Sequence, residues 1–170
     1  MTLNASLSFD EGDSSPQELA DALDKLPGVL NDELKQAATD IGARLAGAAA
    51  EGAPVDTGRL RADLAEPLVE SVGETLIRIR IGSNTPQAGP MEEGTDPGHF
   101  PPPHELHGWV RRVLGADDVE STAFLVARSI SESGLDGHHM IRDAFEDNIE
   151  WALSRINSAI TNAFENAGLA

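Results

Sequence analysis

Ala53-Pro54-Val55-Asp56-Thr57-Gly58-Arg59-Leu60 is the point at which the chain changes its periodicity. Before it, apolar residues recur at helical steps; after it, they alternate at the period of a strand. The octapeptide itself has the chemistry of a sharp corner. Pro54 excludes Ala53 from helical geometry. Asp56 and Thr57 suit an Asx or Ser/Thr turn that caps the following segment. Gly58 accepts a backbone conformation that a residue with Cβ resists. Arg59, Leu60 and Arg61 then leave a stiff turn between helix and sheet. Two uses fit these residues: a structural turn alone, or a turn whose outer surface also meets a neighbouring subunit.

Upstream, Leu30, Leu34, Ala38, Ile41, Leu45 and Ala48 lie on one stripe of a helix from about Leu30 to Ala50, closed by Glu51-Gly52. The alanines and Gly47 there allow a neighbour to approach closely. Ser15-Pro16-Gln17-Glu18 has the form of a capping box with proline at the first helical position. It starts a shorter helix carrying Leu19, Leu23 and Leu26, which Pro27-Gly28 is expected to interrupt. Leu3, Ala5, Leu7 and Phe9 alternate with polar residues, so residues 1–14 read as an N-terminal strand or arm.

Downstream, Ile77, Ile79 and Ile81 alternate with Leu76, Arg78 and Arg80, the pattern of a half-buried strand. A partner strand around Pro67–Val72, joined through Gly73-Glu74, completes a hairpin. Residues 84–103 hold six prolines and three glycines. The breakers read as a loop, with a short extended piece expected at Met91-Glu92-Glu93 and an interaction role rather than a core role for Met91 and Phe100. His104–Leu114 reads as a helix with Leu106, Trp109, Val110 and Val113 on one side and Gly115 as its stop. Asp117 or Asp118 caps the next helix, whose face is Phe124, Ala127 and Ile130, and Gly134-Leu135 suits a Schellman ending. Residues 138–168 form the C-terminal helix, with Phe145, Ile149, Ala152, Ile156, Ala159 and Ala163 in line. The fold class is α+β: a small antiparallel β-sheet packed against long amphipathic helices, in one domain over 1–170.

The chain carries 29 acidic and 12 basic residues, a net charge of −17, and only Lys25 and Lys35 among its cations are lysine. Such a surface repels nucleic acid. Acid excess with few lysines suggests a chain working at multimolar salt, with an ordinary acidic protein as the alternative. Without cysteine there is no disulfide framework, thiolate metal site or thiol nucleophile. No apolar run approaches the ~18 residues of a membrane span and the first residues do not form a signal, so synthesis and folding are expected in the cytoplasm.

Chemistry is sparse. His104-Glu105-Leu106-His107 places its histidines three apart, not the four of a helical zinc pair, and His99, His138 and His139 supply no ligand pattern. There is no Gly-x-Ser-x-Gly elbow or Ser-x-x-Lys pair, and no phosphate-cradling loop. The reading is a protein that is not an enzyme, with no catalytic residue, cofactor or metal. Trp109-Val110-Arg111-Arg112 reads as an apolar face with arginines on the wet side.

The ordered set of these segments resembles the tail-completion, or head–tail joining, family of long-tailed viruses. The resemblance runs through the alternating N-terminal segment, the Leu26-Pro27 break, the long helix and the octapeptide. It continues through Ile79–Gly82, Glu93-Gly94-Thr95, Phe100-Pro101-Pro102-Pro103, Trp109–Arg112 and Ala123–Ile130. The aromatic usual before the Glu-Gly-Thr segment is missing here. The resemblance implies a structural virion protein of the neck, and the acid-rich, lysine-poor composition adds the expectation of a halophilic host. It implies a ring, typically of six copies, that completes the tail and joins it to the head connector. Its partners would be copies of itself, a head-completion protein and the tail-tube protein, with genomic DNA passing the lumen without specific binding and no membrane involved. Contact residues implied by the family motif are Pro54, Asp56, Thr57, Gly58, Arg59, Leu60, Met91, Glu93, Phe100 and Trp109. A minor tail or tail-assembly component on the same fold, or a cytosolic non-viral protein, remain the alternatives.

Overall fold

The computed structural model describes residues 15–72 and 76–169. The alternating stretch Leu3–Phe9 and the Gly73-Glu74 turn lie outside them. The described residues form an α+β fold in which a two-stranded antiparallel sheet lies on the longer of two paired helices.

Helix α1 spans Pro16–Gly52 and starts at the capping box: Ser15 Oγ accepts from Glu18 N at 3.3 Å, and Ser15 N donates to Glu18 Oε2 at 2.8 Å. The expected interruption at Pro27-Gly28 does not occur, and Pro27 sits inside one continuous helix. Proline deletes the donor that the Leu23 carbonyl would take. Leu23 and Pro27 both stand on the exposed side, so that carbonyl is not left unpaired in a dry core.

Helix α2 follows at Arg59–Leu64, then strands β1 (Leu68–Val72) and β2 (Leu76–Arg80). Leu68 opposes Arg80 and Val69 opposes Ile79, the hairpin the alternation predicts. Outward-facing Glu70 binds Arg80 at 2.6 Å and Arg78 at 3.5 Å. Inward, the sheet meets α1 at Gly42. A Cβ there would stand 3.3 Å from side-chain carbons of both Ile79 and Val69, so the close approach needs glycine.

Helix α6, Met140–Ala167, runs antiparallel to α1, tied by Arg44–Asn148, Asp40–Arg155 and Glu33–Asn166. The Arg44 guanidinium lies 4.4 Å over the Trp151 ring. The buried line of α6 is Ala144, Asn148, Ala152, Ala159 and Ala163. This shares three alanines with the expected stripe but rotates Phe145 and Ile156 outward. The alanine-rich face of α1 explains the rotation, since small residues on both helices give the closest packing.

Between them come α3 (Ala88–Glu93), α4 (Pro103–Trp109) continued by a π-helical turn over Val110–Leu114, and α5 (Val119–Ser133). Met91–Glu93 is thus helical, not extended. The last carbonyls of α3 have no partner within the helix. Gly94 N donates to Pro90 O, His138 N to Met91 O at 2.7 Å, and His139 N to Glu92 O at 3.1 Å. Asp118 caps α5 by accepting from Ser121 N. The buried residues of α5 are Ala123 and Ala127, while Phe124 and Val113 are exposed, contrary to expectation. No Schellman ending forms at Gly134: Leu135 N donates across to Thr95 O, and Thr95 N to Leu135 O, so tertiary pairing takes the donor that the motif would use.

Candidate functional site

The corner after α1 is built by the octapeptide. Ala53 is extended (φ −72°, ψ 131°), as Pro54 requires. Arg61 folds back so that its Nη2 donates to Glu51 O at 3.3 Å and Ala53 O at 3.2 Å. It thereby covers carbonyls at the end of α1, where a cation also suits the helix dipole. Gly58 has φ 80° and stands just before α2, with Ala62 N bonded to its carbonyl. Thr57 Oγ1 accepts from Arg59 N at 3.5 Å, so the hydroxyl turn is present but long. Leu60 and Leu64 enter a buried cluster with Ala50, Ala53 and Met140.

Asp56 reaches across to the π-helical turn. Arg112 donates to it twice, Nε to Oδ1 and Nη2 to Oδ2, both at 2.6 Å. The guanidinium lies across Gly108, where a Cβ would stand 2.9 Å from Nη1. These bonds hold the Asp56 carboxyl below the ordinary carboxylate value and raise Arg112 above the usual arginine value. The sequence reading left Arg112 on the wet side; pairing between residues 56 apart has no periodic signal.

Beside this pair lies an open cleft of about 480 Å³. Of the residues the motif pointed to, Pro54, Asp56, Thr57, Gly58, Leu60, Met91 and Trp109 all line it, although they come from three separate stretches. Pro86, Pro90, Pro101, Leu106, Ile130 and Leu135 supply further apolar wall, and His99 and Glu105 polar lining. Met91 also packs on the buried cluster at the corner, so it serves core and cleft together. Arg59 stands between two lining residues but does not line the cleft itself.

Two expected contact residues go elsewhere. Glu93 pairs with Arg142 in the first turn of α6 at 3.0 Å. Phe100 makes a tilted aromatic pair with Phe124, ring centres 5.9 Å apart. The sequence reading missed Glu92, whose carboxylate accepts from Ile141 N at 2.9 Å and Arg142 N at 3.0 Å. It caps α6 from a distant segment, because His139 at the cap position makes no side-chain cap bond. Also missed was the chain Asp63–Ser83–Thr85, in which Ser83 Oγ donates to Asp63 Oδ2 at 2.7 Å and ties α2 to the segment after β2.

A cleft with a proline-rich apolar wall and the polar groups of Asp56, Thr57, Gln87, Thr95, His99 and Glu105 along it can seat side chains of another chain. Among the described residues, no group of three or more His, Asp or Glu is placed to hold a metal ion. No helix among them is long and apolar enough to cross a membrane.

Residues 17–100 match a family model, HK97-gp10-like, described as "Bacteriophage HK97-gp10, putative tail-component". The match runs from the first turn of α1 through the corner, the hairpin and α3, and stops before α4. No curated protein and no solved structure matches the chain.

Proposed function

We propose, from the match of residues 17–100 to the bacteriophage HK97-gp10-like tail-component family, that the protein is a tail-related structural component of the virion and that its role is that of a neck ring. In this reading several copies, six on the family's pattern, complete the tail and join it to the head connector around the DNA channel. The head-completion protein would lie on one side and the tail tube on the other. The protein performs no catalysis; it is made in the host cytoplasm and ends at the head–tail junction.

One observation carries the assembly part of this reading. The alanine line of α6 packs on α1, yet the adjacent line Phe145, Leu153, Ile156, Ile160 and Phe164 remains in solvent, with Phe145 53% and Leu153 54% exposed. A row of large apolar side chains along a 28-residue helix has no use in an isolated subunit and suits packing against another chain. The net charge of −17 supports a bore that passes DNA without gripping it, since a wall that repels phosphate lets the genome slide.

The test is a virus lacking this protein, examined by electron cryo-microscopy. DNA-filled heads and separate, finished-length tails are expected, with the density of the complete virion placing the chain between them. Infectious particles without the protein, or density elsewhere in the virion, would refute the role. The second reading, a tail-assembly component on the same fold, predicts the protein in assembling lysates and its absence from mature virions.

A further inference from the structure

We propose that in the free protein the exposed row of α6 is covered by α6 of a second copy, the two helices running antiparallel about a two-fold axis. This goes beyond the neck-ring reading, because a two-fold contact closes at two copies. The pair is the form the chain takes before assembly, and it must open for the row to serve a ring.

The row is Phe145, Ile149, Leu153, Ile156, Ile160 and Phe164, and its steps are four, four, three, four and four. That order of steps reads the same from either end. Two copies laid antiparallel, centred between Leu153 and Ile156, therefore set Phe145 against Phe164, Ile149 against Ile160 and Leu153 against Ile156. Aromatic meets aromatic, and branched aliphatic meets branched aliphatic, in both halves of the contact. The central four residues have the seam spacing of a two-helix coiled coil. The row follows one residue after Ala144, Ala152, Ala159 and Ala163, roughly a quarter-turn round the helix from the face on α1. A second helix can reach it without displacing α1.

Charge selects the antiparallel direction. Glu146 and Glu150 border the first half of the row, whereas no carboxylate occurs between Glu150 and Glu165. The one charged residue of that interval, Arg155, is bound to Asp40 at 2.8 Å. A parallel pair would stack Glu146 and Glu150 on their own counterparts. The antiparallel pair sets them opposite the uncharged residues 157–163 of the second copy. In a chain of net charge −17, an exposed helical stretch without acids has the composition of an interface centre.

The area suffices for a stable pair. With roughly 200 Å² for a fully exposed large apolar side chain, the exposed fractions along the row leave on the order of 450 Å² of apolar surface per copy. Burying it on both copies, at the ~60% apolar share usual for such contacts, corresponds to about 1,500 Å² in all, the size of a specific interface.

The test uses the full-length protein at multimolar KCl, where like-charge repulsion is screened, with mass by light scattering and fold by circular dichroism. The native chain is expected to have the mass of two copies. Leu153→Asp, at an exposed position in the centre of the seam, should halve that mass while keeping the helical spectrum. The cysteine-free sequence lets oxidation read the register. Phe145→Cys with Phe164→Cys in one chain should link two copies and nothing larger, since the two positions lie ~28 Å apart along their own helix. Phe145→Cys alone should stay unlinked, because its counterpart lies at the far end of the pair. A monomeric native protein, a Leu153→Asp variant of full mass, a double-cysteine variant that does not link, or linking by Phe145→Cys alone would overturn the pair. A ladder of linked copies would overturn it in favour of a head-to-tail contact through the row. The ring reading is decided by the virion density, so the two fail separately.

Discussion

At the scale of single residues, the corner depends on one carboxylate and one glycine. Asp56 has its folded pKa lowered from 3.8 by the two hydrogen bonds from Arg112, followed by the charge of that guanidinium. A depressed carboxyl stabilises the fold above the unfolded pKa and loses that contribution as pH falls through the folded value. Asp56→Asn should therefore melt below the native protein at pH 7, and the difference between them should close as pH falls below about 4. Melting midpoints from pH 7 to pH 2 check this; a gap that persists at the acid end would mean the pair does not titrate as described. Gly58 has φ 80° and open space around it, so Gly58→Val meets no neighbour but pays the left-handed strain, about 1–2 kcal/mol. If the corner is a subunit contact, assembly should fall by more than that loss of stability explains. Denaturant midpoints beside oligomer mass decide it.

At the scale of elements, three junctions hold the fold, and each makes a distinct demand. Helix α6 is capped by Glu92 from α3, so Glu92→Ala should cost about 1 kcal/mol, the usual worth of a cap. The amides of Ile141 and Arg142 should then exchange faster while the centre of α6 stays protected. The sheet rests on α1 at Gly42, where Val69 and Ile79 leave no room. Gly42→Val should cost about 1–3 kcal/mol by overpacking. Gly47, one and a half turns further along the same helix, has no such neighbour, so Gly47→Ala should stabilise by about 0.5–1 kcal/mol. Equal effects of these two substitutions in denaturant titrations would contradict the packing described for α1 and the hairpin.

At the scale of the whole molecule, the dominant quantity is the charge of −17 on 170 residues. Few of the carboxylates find partners: six ion pairs join the described residues, most of them on the surface, where such pairs contribute little. The rest repel one another, and at 1 M salt the Debye length is only ~3 Å. Stability and any ring should therefore rise together from dilute buffer to multimolar KCl. A melting series with parallel mass measurements tests it, and a midpoint that is flat or falls with salt would refute a halophilic origin for the composition.

Local chemistry was enough to write down the α+β class, the hairpin and its inward isoleucines, the capping box at Ser15 and the corner at Ala53–Leu60. Each of these rests on neighbours within a few residues, which is the range over which periodicity and turn propensity act. It was also enough to nominate Pro54, Gly58, Met91 and Trp109, though not to say that they line a single cleft. What failed locally failed because a distant partner intervened. The exposure of Leu23 and Pro27 on the outer side of α1 makes proline tolerable inside that helix. The donors of His138 and His139 drew α3 into helical form, and Thr95 took the amide of Leu135 that a Schellman ending needed. The face of α6 that is buried, the reach of Arg112 to Asp56 and the capping of α6 by Glu92 were decided only in the folded molecule. A polar group closes with whichever partner tertiary packing brings within about 3 Å, and an apolar band wider than one contact leaves to packing the choice of which side is covered.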